Sequence, residues 1–230
     1  MPVIFFFFYL MRKKRFYTGK NPGFGKKTRK RSSCLIKKYL TPKPENPVNK
    51  VIALTGMCGS GKSAAAAKLE EKGFAKVYFG GITMNELKKR GMEISESNER
   101  MIREELRQKH GMAAFALLSI SEINRLLENN KKVFIDGLYS WSEYRALRET
   151  YGENIVLLEI FSDKNIRYDR LAQRKIRPLT REQAAGRDIT EIENIEKGGP
   201  IAFSDYKLEN NGSLTELYRR LEKILDLVYS

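Results

Sequence analysis

Residues 51–70 read VIALTGMCGSGKSAAAAKLE, and this stretch decides the fold class of the chain. Gly56, four further residues and then Gly61, Lys62 and Ser63 match the phosphate-binding pattern G-x-x-x-x-G-K-[ST]. The pattern has this meaning only between a strand and a helix. The apolar run 51–54 predicts a buried strand, and the alanine-rich run 64–70 predicts a helix. The stretch therefore predicts a loop that binds a nucleotide phosphate, whereas the alternative is a glycine-rich turn before a helix.

The chemistry of such a loop follows from its backbone. Its three glycines let several N–H groups point into one concavity at a helix N-terminus, where partial positive charge favours an anion. Lys62 is expected to reach the β- and γ-phosphates of ATP and to act in catalysis, and the Ser63 hydroxyl is expected to ligate Mg²⁺. The nucleotide-binding residues predicted in this loop are Gly56, Met57, Cys58, Gly59, Ser60, Gly61, Lys62 and Ser63.

Positive charge is concentrated at the beginning of the chain. Residues 1–50 contain 14 of the 43 Lys and Arg residues and a single acidic residue, Glu45. The net charge of +15 therefore says little about the remaining residues, which are nearly balanced. Cys34 and Cys58 lack metal-ligand spacing, and the single His110 excludes a histidine-based metal site. This cysteine usage predicts a reducing, cytoplasmic setting.

Residues 1–47 are predicted to form a basic extension, and residues 48–230 a P-loop kinase-like domain. The apolar run 3–10 is shorter than the roughly 20 residues that span a bilayer, and positive charge follows it instead of preceding it as in a secretory signal, so export is not expected. Three interpretations of the extension stay open. It is disordered, it contacts an anionic partner such as RNA or a membrane surface, or the true start is Met11 or a later codon.

Strands and helices alternate from residue 50 onward. Strands are predicted at 51–54, 75–79, 133–135, 155–161 and 206–208, and helices at 64–70, 83–90, 96–109, 112–127, 142–151, 164–175 and 214–229. This order predicts an α/β fold, in which a parallel sheet carries helices on both faces and ligands bind beyond the carboxyl ends of the strands. Asp136 ends the third strand there and is predicted to hold Mg²⁺ and act in catalysis, with a turn cap as the alternative.

Arginines follow the fourth strand. Arg170, Arg174 and Arg177 are spaced i, i+4, i+7 and would share one helical face if the helix 164–175 persists, with Arg181 and Arg187 just beyond. Phosphoryl transfer needs cations over the developing charge, so a mobile lid at about 170–200 is predicted to supply them. Arg174 is the preferred catalytic residue and Arg170 and Arg177 the nucleotide contacts; the alternative is a solvated basic face.

The motifs GMCGSGKS (56–63), FIDG (134–137), RLAQRKIR (170–177) and AFSDYKLENNGSLTEL (202–217) together carry a resemblance. From about residue 51 to residue 229 the chain resembles the P-loop nucleotide kinases, in the branch of dephospho-CoA kinase and adenylate kinase, and looks closest to uncharacterised nucleotide-kinase-like proteins of archaea. The resemblance implies a five-stranded parallel sheet of order 2-3-1-4-5 with a helical lid. It also implies that Asn210 and Asn211 lie beside the nucleotide base.

The sequence departs from that family where the acceptor binds. Adenylate kinases carry Gly-Asp and then an arginine after the second strand, and dephospho-CoA kinase uses an aspartate in that region as the base, but here Gly80-Gly81-Ile82-Thr83-Met84 has neither. The arginine of the third-strand motif is also missing from 136–140. Arg103 and Arg107, four residues apart on one predicted helix, are the substitute candidates for holding the acceptor, with a solvated face as the alternative.

Three functions stay open. The first is an ATP-dependent kinase that transfers the γ-phosphoryl group to a nucleotide-like or dephospho-CoA-like small molecule. The second is a nucleotide-dependent switch or slow ATPase without an acceptor. The third is an RNA-associated protein tethered by its basic extension.

Overall fold

A computed structural model describes residues 50–230, and the predicted extension 1–47 and Cys34 lie outside this part of the chain. The strands are β1 (Val51–Thr55), β2 (Ala75–Tyr78), β3 (Val133–Asp136), β4 (Ile155–Phe161) and β5 (Tyr206–Glu209). The helices are α1 (Lys62–Glu71), α2 (Phe79–Lys89), α3 (Glu96–His110), α4 (Ala114–Glu128), α5 (Trp141–Tyr151), α6 (Lys164–Ala172), α7 (Arg181–Glu193), α8 (Gly198–Ala202) and α9 (Leu214–Tyr229).

The five strands form one parallel sheet in the order β2-β3-β1-β4-β5. This confirms the α/β fold class and the strand order that the resemblance implied. Alternate residues of β1 face opposite layers, as the pleat requires. Val51 and Ala53 pack with α4 and α5, whereas Ile52 and Leu54 pack with α1 and α9. A sheet covered on both faces exposes its carboxyl edge, where β1, β3 and β4 all end.

Lys50 and the end of the last helix are in contact beside the sheet. Lys50 lies directly before β1, and Tyr229 is the last residue of α9. The Tyr229 hydroxyl donates a hydrogen bond of 3.1 Å to the carbonyl oxygen of Lys50. The first strand and the last helix are therefore joined at their outer ends.

A capping box fixes the start of α5. The Ser140 hydroxyl accepts from the N–H of Glu143, and Glu143 Oε2 accepts from the N–H groups of Ser140 and Tyr139. Ser140 and Glu143 are both 0% exposed. These bonds satisfy helix donors that would otherwise lack a partner and hold the turn after β3 in place.

The second strand ends earlier than predicted. Phe79 was expected in the strand but begins α2, so Gly80 and Gly81 lie in the first turn of a helix. The half-exposed ring of Tyr78 lies over this turn, and a Cβ at Gly80 would lie 2.4 Å from the tyrosine Cζ. Helix α2 therefore begins beneath an aromatic ring at the carboxyl edge.

The prediction of one arginine face on a helix 164–175 is wrong. Helix α6 ends at Ala172, and Arg177 has a positive φ of 53°. Pro178 follows directly, and a proline disfavours helical backbone at the residue before it. Arg174 and Arg177 therefore lie in the segment between α6 and α7 and share no helical face with Arg170.

Candidate functional site

The loop between β1 and α1 is shaped by glycines that another residue could not replace. Gly56, Gly59 and Gly61 have φ values of +135°, +84° and +98°, which L side chains rarely adopt. A Cβ at Gly56 would lie 2.2 Å from the carbonyl oxygen of Ile160, and one at Gly59 would lie 2.7 Å from that of Arg167. The loop is therefore pressed directly against the backbone of β4 and α6.

The same loop leaves backbone donors free. Within residues 50–230, the N–H groups of Gly59, Gly61, Lys62 and Ser63 have no acceptor in the protein. They gather at the N-terminus of α1, where the helix dipole places partial positive charge. Such a set of N–H groups is suited to the oxygens of a phosphate.

Lys62 lies inside the loop. Its Nζ donates to the carbonyl oxygens of Gly56 at 2.7 Å and of Met57 at 2.9 Å. Burial, and after it the positive charge of Lys197, lower the pKa of Lys62 to about 7. An anion bound against the ammonium would favour its charged form again.

The remaining loop residues contribute their backbones. The carbonyl oxygen of Cys58 accepts from Arg167, and its side chain packs with Leu171 and Ala184. The carbonyl oxygen of Ser60 accepts from Asn210 Nδ2 at 2.8 Å. Both residues therefore hold the loop in place through their carbonyl oxygens, and Cys58 does so through its side chain as well.

A cleft of about 620 Å³ opens from this loop across the carboxyl edge of the sheet. Tyr78 and Tyr139 line it beside the loop residues. Of the described residues that line it, two are carboxylates, Asp136 and Glu191. The cations among them are Lys62, Lys76, Arg170, Arg174, Arg187 and Lys197. Six cations against two carboxylates make this cleft a site for a multiply charged anion.

Asp136 and Ser63, the two predicted Mg²⁺ ligands, line the same cleft. Asp136 lies opposite Leu54 of β1 and Tyr78 of β2, so β3 delivers it to the middle of the edge. Its carboxylate is 3.6 Å from the ammonium of Lys76. A hydroxyl and a carboxylate are hard oxygen ligands of the kind that Mg²⁺ takes. No cluster of three or more His, Cys, Asp or Glu suited to a metal is found within residues 50–230.

Two of the three predicted lid arginines reach the cleft. Arg170 lines it and donates to the Ser162 hydroxyl at 2.9 Å. Arg174 lines it and has no salt bridge to any residue in the described part of the chain. Arg177 instead pairs with Glu96 at 3.0 Å and lies 3.8 Å from Glu99, at the start of α3. Its contacts tie the segment after α6 to α3, and it is not among the residues that line the cleft.

A buried ion pair that the sequence did not reveal connects the loop to α7. Arg167 bonds both oxygens of Asp188, at 3.0 and 2.6 Å, and also donates to the carbonyl oxygen of Cys58 at 2.9 Å. Arg167 is 6% exposed and Asp188 is 8% exposed, and the Tyr168 hydroxyl bonds Asp188 as well. One guanidinium therefore orients α7 relative to the phosphate-binding loop.

Lys197, Glu191 and Arg187 form a second group that sequence reasoning left out, apart from noting Arg187 beyond the other arginines. Lys197 is 1% exposed and pairs with Glu191 at 2.6 Å. Arg187 Nε donates to the other oxygen of Glu191 at 3.2 Å. Lysine is rarely buried unless it is paired. Nothing in the sequence around Lys197 indicates its partner, so the sequence did not predict this arrangement.

The two asparagines lie behind the loop. Besides its bond to Ser60, Asn210 comes so close to Gly61 that a Cβ there would lie 2.1 Å from Nδ2. Asn211 Oδ1 accepts from the N–H of Asp163 at the start of α6. Asn210 therefore supports the loop and Asn211 the start of α6, and the contact with a base that the resemblance implied stays a prediction.

Arg103 and Arg107 are not among the residues that line the cleft. Arg103 is held by Glu96 at 3.0 Å and Glu99 at 3.2 Å. Arg107 lies over the ring of Phe115, and burial lowers the pKa of its guanidinium. Arg103 is therefore held by two carboxylates, whereas Arg107 has a buried Nε without a hydrogen-bond partner, and the acceptor clamp stays a prediction.

Comparisons with known proteins agree with this geometry. The family model described as "AAA domain" matches residues 52–196. The UPF0200 protein of Thermococcus kodakarensis is 35% identical over 183 residues, covering 78% of this chain and 98% of that protein. This match bears out the expected similarity to archaeal proteins.

Two solved structures share the fold. TT1252 from Thermus thermophilus has a TM-score of 0.50 at 22% identity, covering 78% of this chain and 97% of its own. Shikimate kinase from Bacteroides thetaiotaomicron also has a TM-score of 0.50, at 13% identity, and the match covers 79% of this chain and 99% of that kinase. The chain thus has a P-loop kinase-like fold, and the dephospho-CoA and adenylate kinase branch stays a prediction. Within the described part of the chain, no helix combines the length and apolar character needed to cross a membrane.

Proposed function

Because this chain belongs to the UPF0200 family and carries an AAA domain, we propose that it is an ATP-dependent phosphotransferase that acts on a small-molecule acceptor. The observation that carries the proposal is the loop of residues 56–63. Its free N–H groups lie at a cleft that is lined by more cations than carboxylates. A triphosphate fits this chemistry better than any neutral ligand.

Five residues of the cleft and the N–H groups of the loop then have roles. The N–H groups of the loop and Lys62 hold the phosphates, and Arg170 and Arg174 approach from the side of β4. Ser63 and Asp136 would hold Mg²⁺, which neutralises charge that develops on the phosphate oxygens. Because little covalent chemistry falls to the protein in phosphoryl transfer, positioning by these fixed groups is its main contribution.

The test compares two lysines of one helix. Lys62→Ala should weaken binding of ATP with Mg²⁺ by at least about 10-fold, since a charge-assisted contact is lost. Lys68→Ala is the matched control, because Lys68 lies on the same helix and pairs with Glu71 outside the cleft. Calorimetric titration measures binding, and circular dichroism checks the fold. Equal affinities of the two variants for ATP would refute the assignment of the loop.

Asp136→Asn tests the proposed metal ligand. ADP production should lose most of its dependence on Mg²⁺, while ATP binding in the absence of metal changes little. Unchanged dependence of the rate on Mg²⁺ would leave Asp136 as a partner of Lys76 only.

A nucleotide-dependent switch or slow ATPase remains the second candidate. The observation that favours it is the position of Arg103 and Arg107, which leaves the cleft without the acceptor arginines that the sequence predicted. Acceptor-dependent ADP production by the full chain supports the transferase. Turnover that no acceptor stimulates supports the switch.

A further inference from the structure

The cleft contains no carboxylate that is free to act as a base. Of the described residues lining it, Asp136 and Glu191 are the two candidates. Asp136 faces Lys76 and, under the proposed function, the metal. Glu191 is 6% exposed and bonds Lys197 and Arg187 through its two oxygens. Burial alone would raise the pKa of Glu191, but the charges of Lys197 and Arg187 outweigh it and hold that pKa below its usual range.

The edge of the sheet offers no substitute. Tyr78 ends β2 beside Asp136 and is followed by Phe79, Gly80 and Gly81, none of which carries an ionisable group. Burial raises the pKa of Tyr139, which also lines the cleft, so its phenol stays protonated. A hydroxyl acceptor needs a base to take its proton. Lys62, whose pKa of about 7 would suit that task, is committed to the phosphates of ATP under the proposed function, so no base of the cleft is left for the acceptor.

Two cations of the cleft are held loosely. Arg187 donates from Nε to Glu191, and its two terminal amino groups have no partner among the described residues. Its side chain is 51% exposed. Lys76 lies 3.6 Å from both Glu70 and Asp136, which is beyond ordinary hydrogen-bond distance. A free guanidinium fork is suited to bidentate binding of an oxyanion.

Lys197 fixes the first of these cations through Glu191. It holds one oxygen of the carboxylate while Arg187 holds the other, so the buried pair determines where the guanidinium stands. Lys197 also lies over the ring of Tyr139 at 4.8 Å. Lys197 and Glu191 are therefore positioning residues, and Arg187 with Lys76 is available to a ligand.

Resting on the proposed function, we propose that the acceptor is a phosphomonoester, ionised before it binds, and that Arg187 and Lys76 hold its oxyanion. In transfer, the bond between the γ-phosphorus and the bridging oxygen of ATP breaks, and its electron pair leaves on ADP. The bond to the acceptor forms from an oxygen that already carries a negative charge. No proton has to be removed, which agrees with a cleft whose candidate bases are all engaged elsewhere.

Adenosine 5′-tetraphosphate tests this proposal, because it carries one phosphate more than ATP, beyond the γ-position. With Mg²⁺ and the full chain, it should bind at least about 10-fold more tightly than ATP in calorimetric titration. Arg187→Met and Lys76→Met should each remove most of this advantage while the dissociation constant of ATP changes by less than about 3-fold. Arg181→Met is the matched control, because Arg181 lies on the same helix and pairs with Asp169 outside the cleft.

The outcomes separate the two proposals. A tetraphosphate that binds no more tightly than ATP, or an advantage that survives Arg187→Met, overturns the phosphomonoester site and leaves ATP binding standing. Absence of ATP binding in the wild type refutes the proposed function itself and this inference with it. Folding does not obscure the result, since Glu191 keeps Lys197 as its partner in Arg187→Met. Transfer from ATP to a hydroxyl group of adenosine would also overturn the inference.

Discussion

Glu143→Gln should stabilise this protein at alkaline pH. Glu143 is 0% exposed, and burial raises the pKa of its carboxyl from 4.5 to about 7 against the opposing hydrogen bonds of Ser140 and Tyr139. Each pKa unit corresponds to about 1.4 kcal/mol, so ionising this group in the folded state costs about 3 kcal/mol more than in the unfolded state. Glutamine retains an oxygen for both N–H groups and is accepted in a capping box.

The sign follows from the protons bound in each state. Between pH 4.5 and about 7 the folded protein keeps the Glu143 proton that the unfolded chain has lost. Stability of the wild type therefore falls as pH rises through this window, and the loss is complete above it. Glu143→Gln lacks this contribution, so it should gain about 3 kcal/mol over the wild type at pH 8 and little at pH 4.

Urea denaturation of both proteins at pH 4, 6 and 8 measures the difference. Glu149→Gln is the control, because it makes the same change on an exposed face of the same helix. A variant whose free energy of unfolding follows the same pH dependence as the wild type would refute the reasoning. Loss of stability in Glu143→Gln at pH 8 would do so as well, since it would show that the charge is needed beside Arg107.

Three further predictions concern the loop and its supports. Arg167→Met should lower the free energy of unfolding, measured by urea denaturation, by about 3–5 kcal/mol because it leaves Asp188 buried and unpaired. Adding Asp188→Asn should recover part of that loss. If the two substitutions instead lower the free energy of unfolding additively, the pairing is contradicted. Gly59→Ala should weaken ATP binding by at least about 10-fold and destabilise the fold by about 1–3 kcal/mol, because the positive φ of Gly59 and the carbonyl of Arg167 exclude a Cβ. Gly186→Ala is the control and should leave ATP binding unchanged, since a Cβ there would lie in open space on α7. Equal affinities of the two variants for ATP in titration would argue against the steric explanation. Arg107→Ala should leave the advantage of adenosine tetraphosphate over ATP intact, and its loss in titration would return that arginine to the acceptor site.

The sequence was sufficient for those parts of the site that depend on neighbouring residues. The spacing of Gly56, Gly61 and Lys62 requires a strand before it and a helix after it, and both are present. Asp136 could be placed because a parallel strand delivers its last residue to the same edge as the loop. The strand order came from the resemblance, since alternation alone does not specify it.

Long-range contacts account for what the sequence did not reveal. Arg167 and Asp188 read as ordinary surface charges until α7 folds back on α6 and buries them. The spacing of Arg103 and Arg107 correctly placed them on one helix. It did not reveal that Glu96 and Glu99, on the same helix, bind the side chain of Arg103. Lys197 lies after α7 with no pattern around it, and only the tertiary fold pairs it with Glu191.

The hydrogen bond between Tyr229 and Lys50 bears on how the domain could be rearranged. Since Tyr229 contacts Lys50, a short linker from residue 230 to residue 50 would close residues 50–230 into a continuous ring without moving a strand. The exposed turn at Gly91, where a Cβ would meet nothing within 4 Å, offers a place to open that ring. In such a circular permutant the phosphate-binding loop would be synthesised after β3, β4 and β5 instead of first. If it still folds and binds ATP, the pairing of the sheet does not depend on the order in which its strands leave the ribosome.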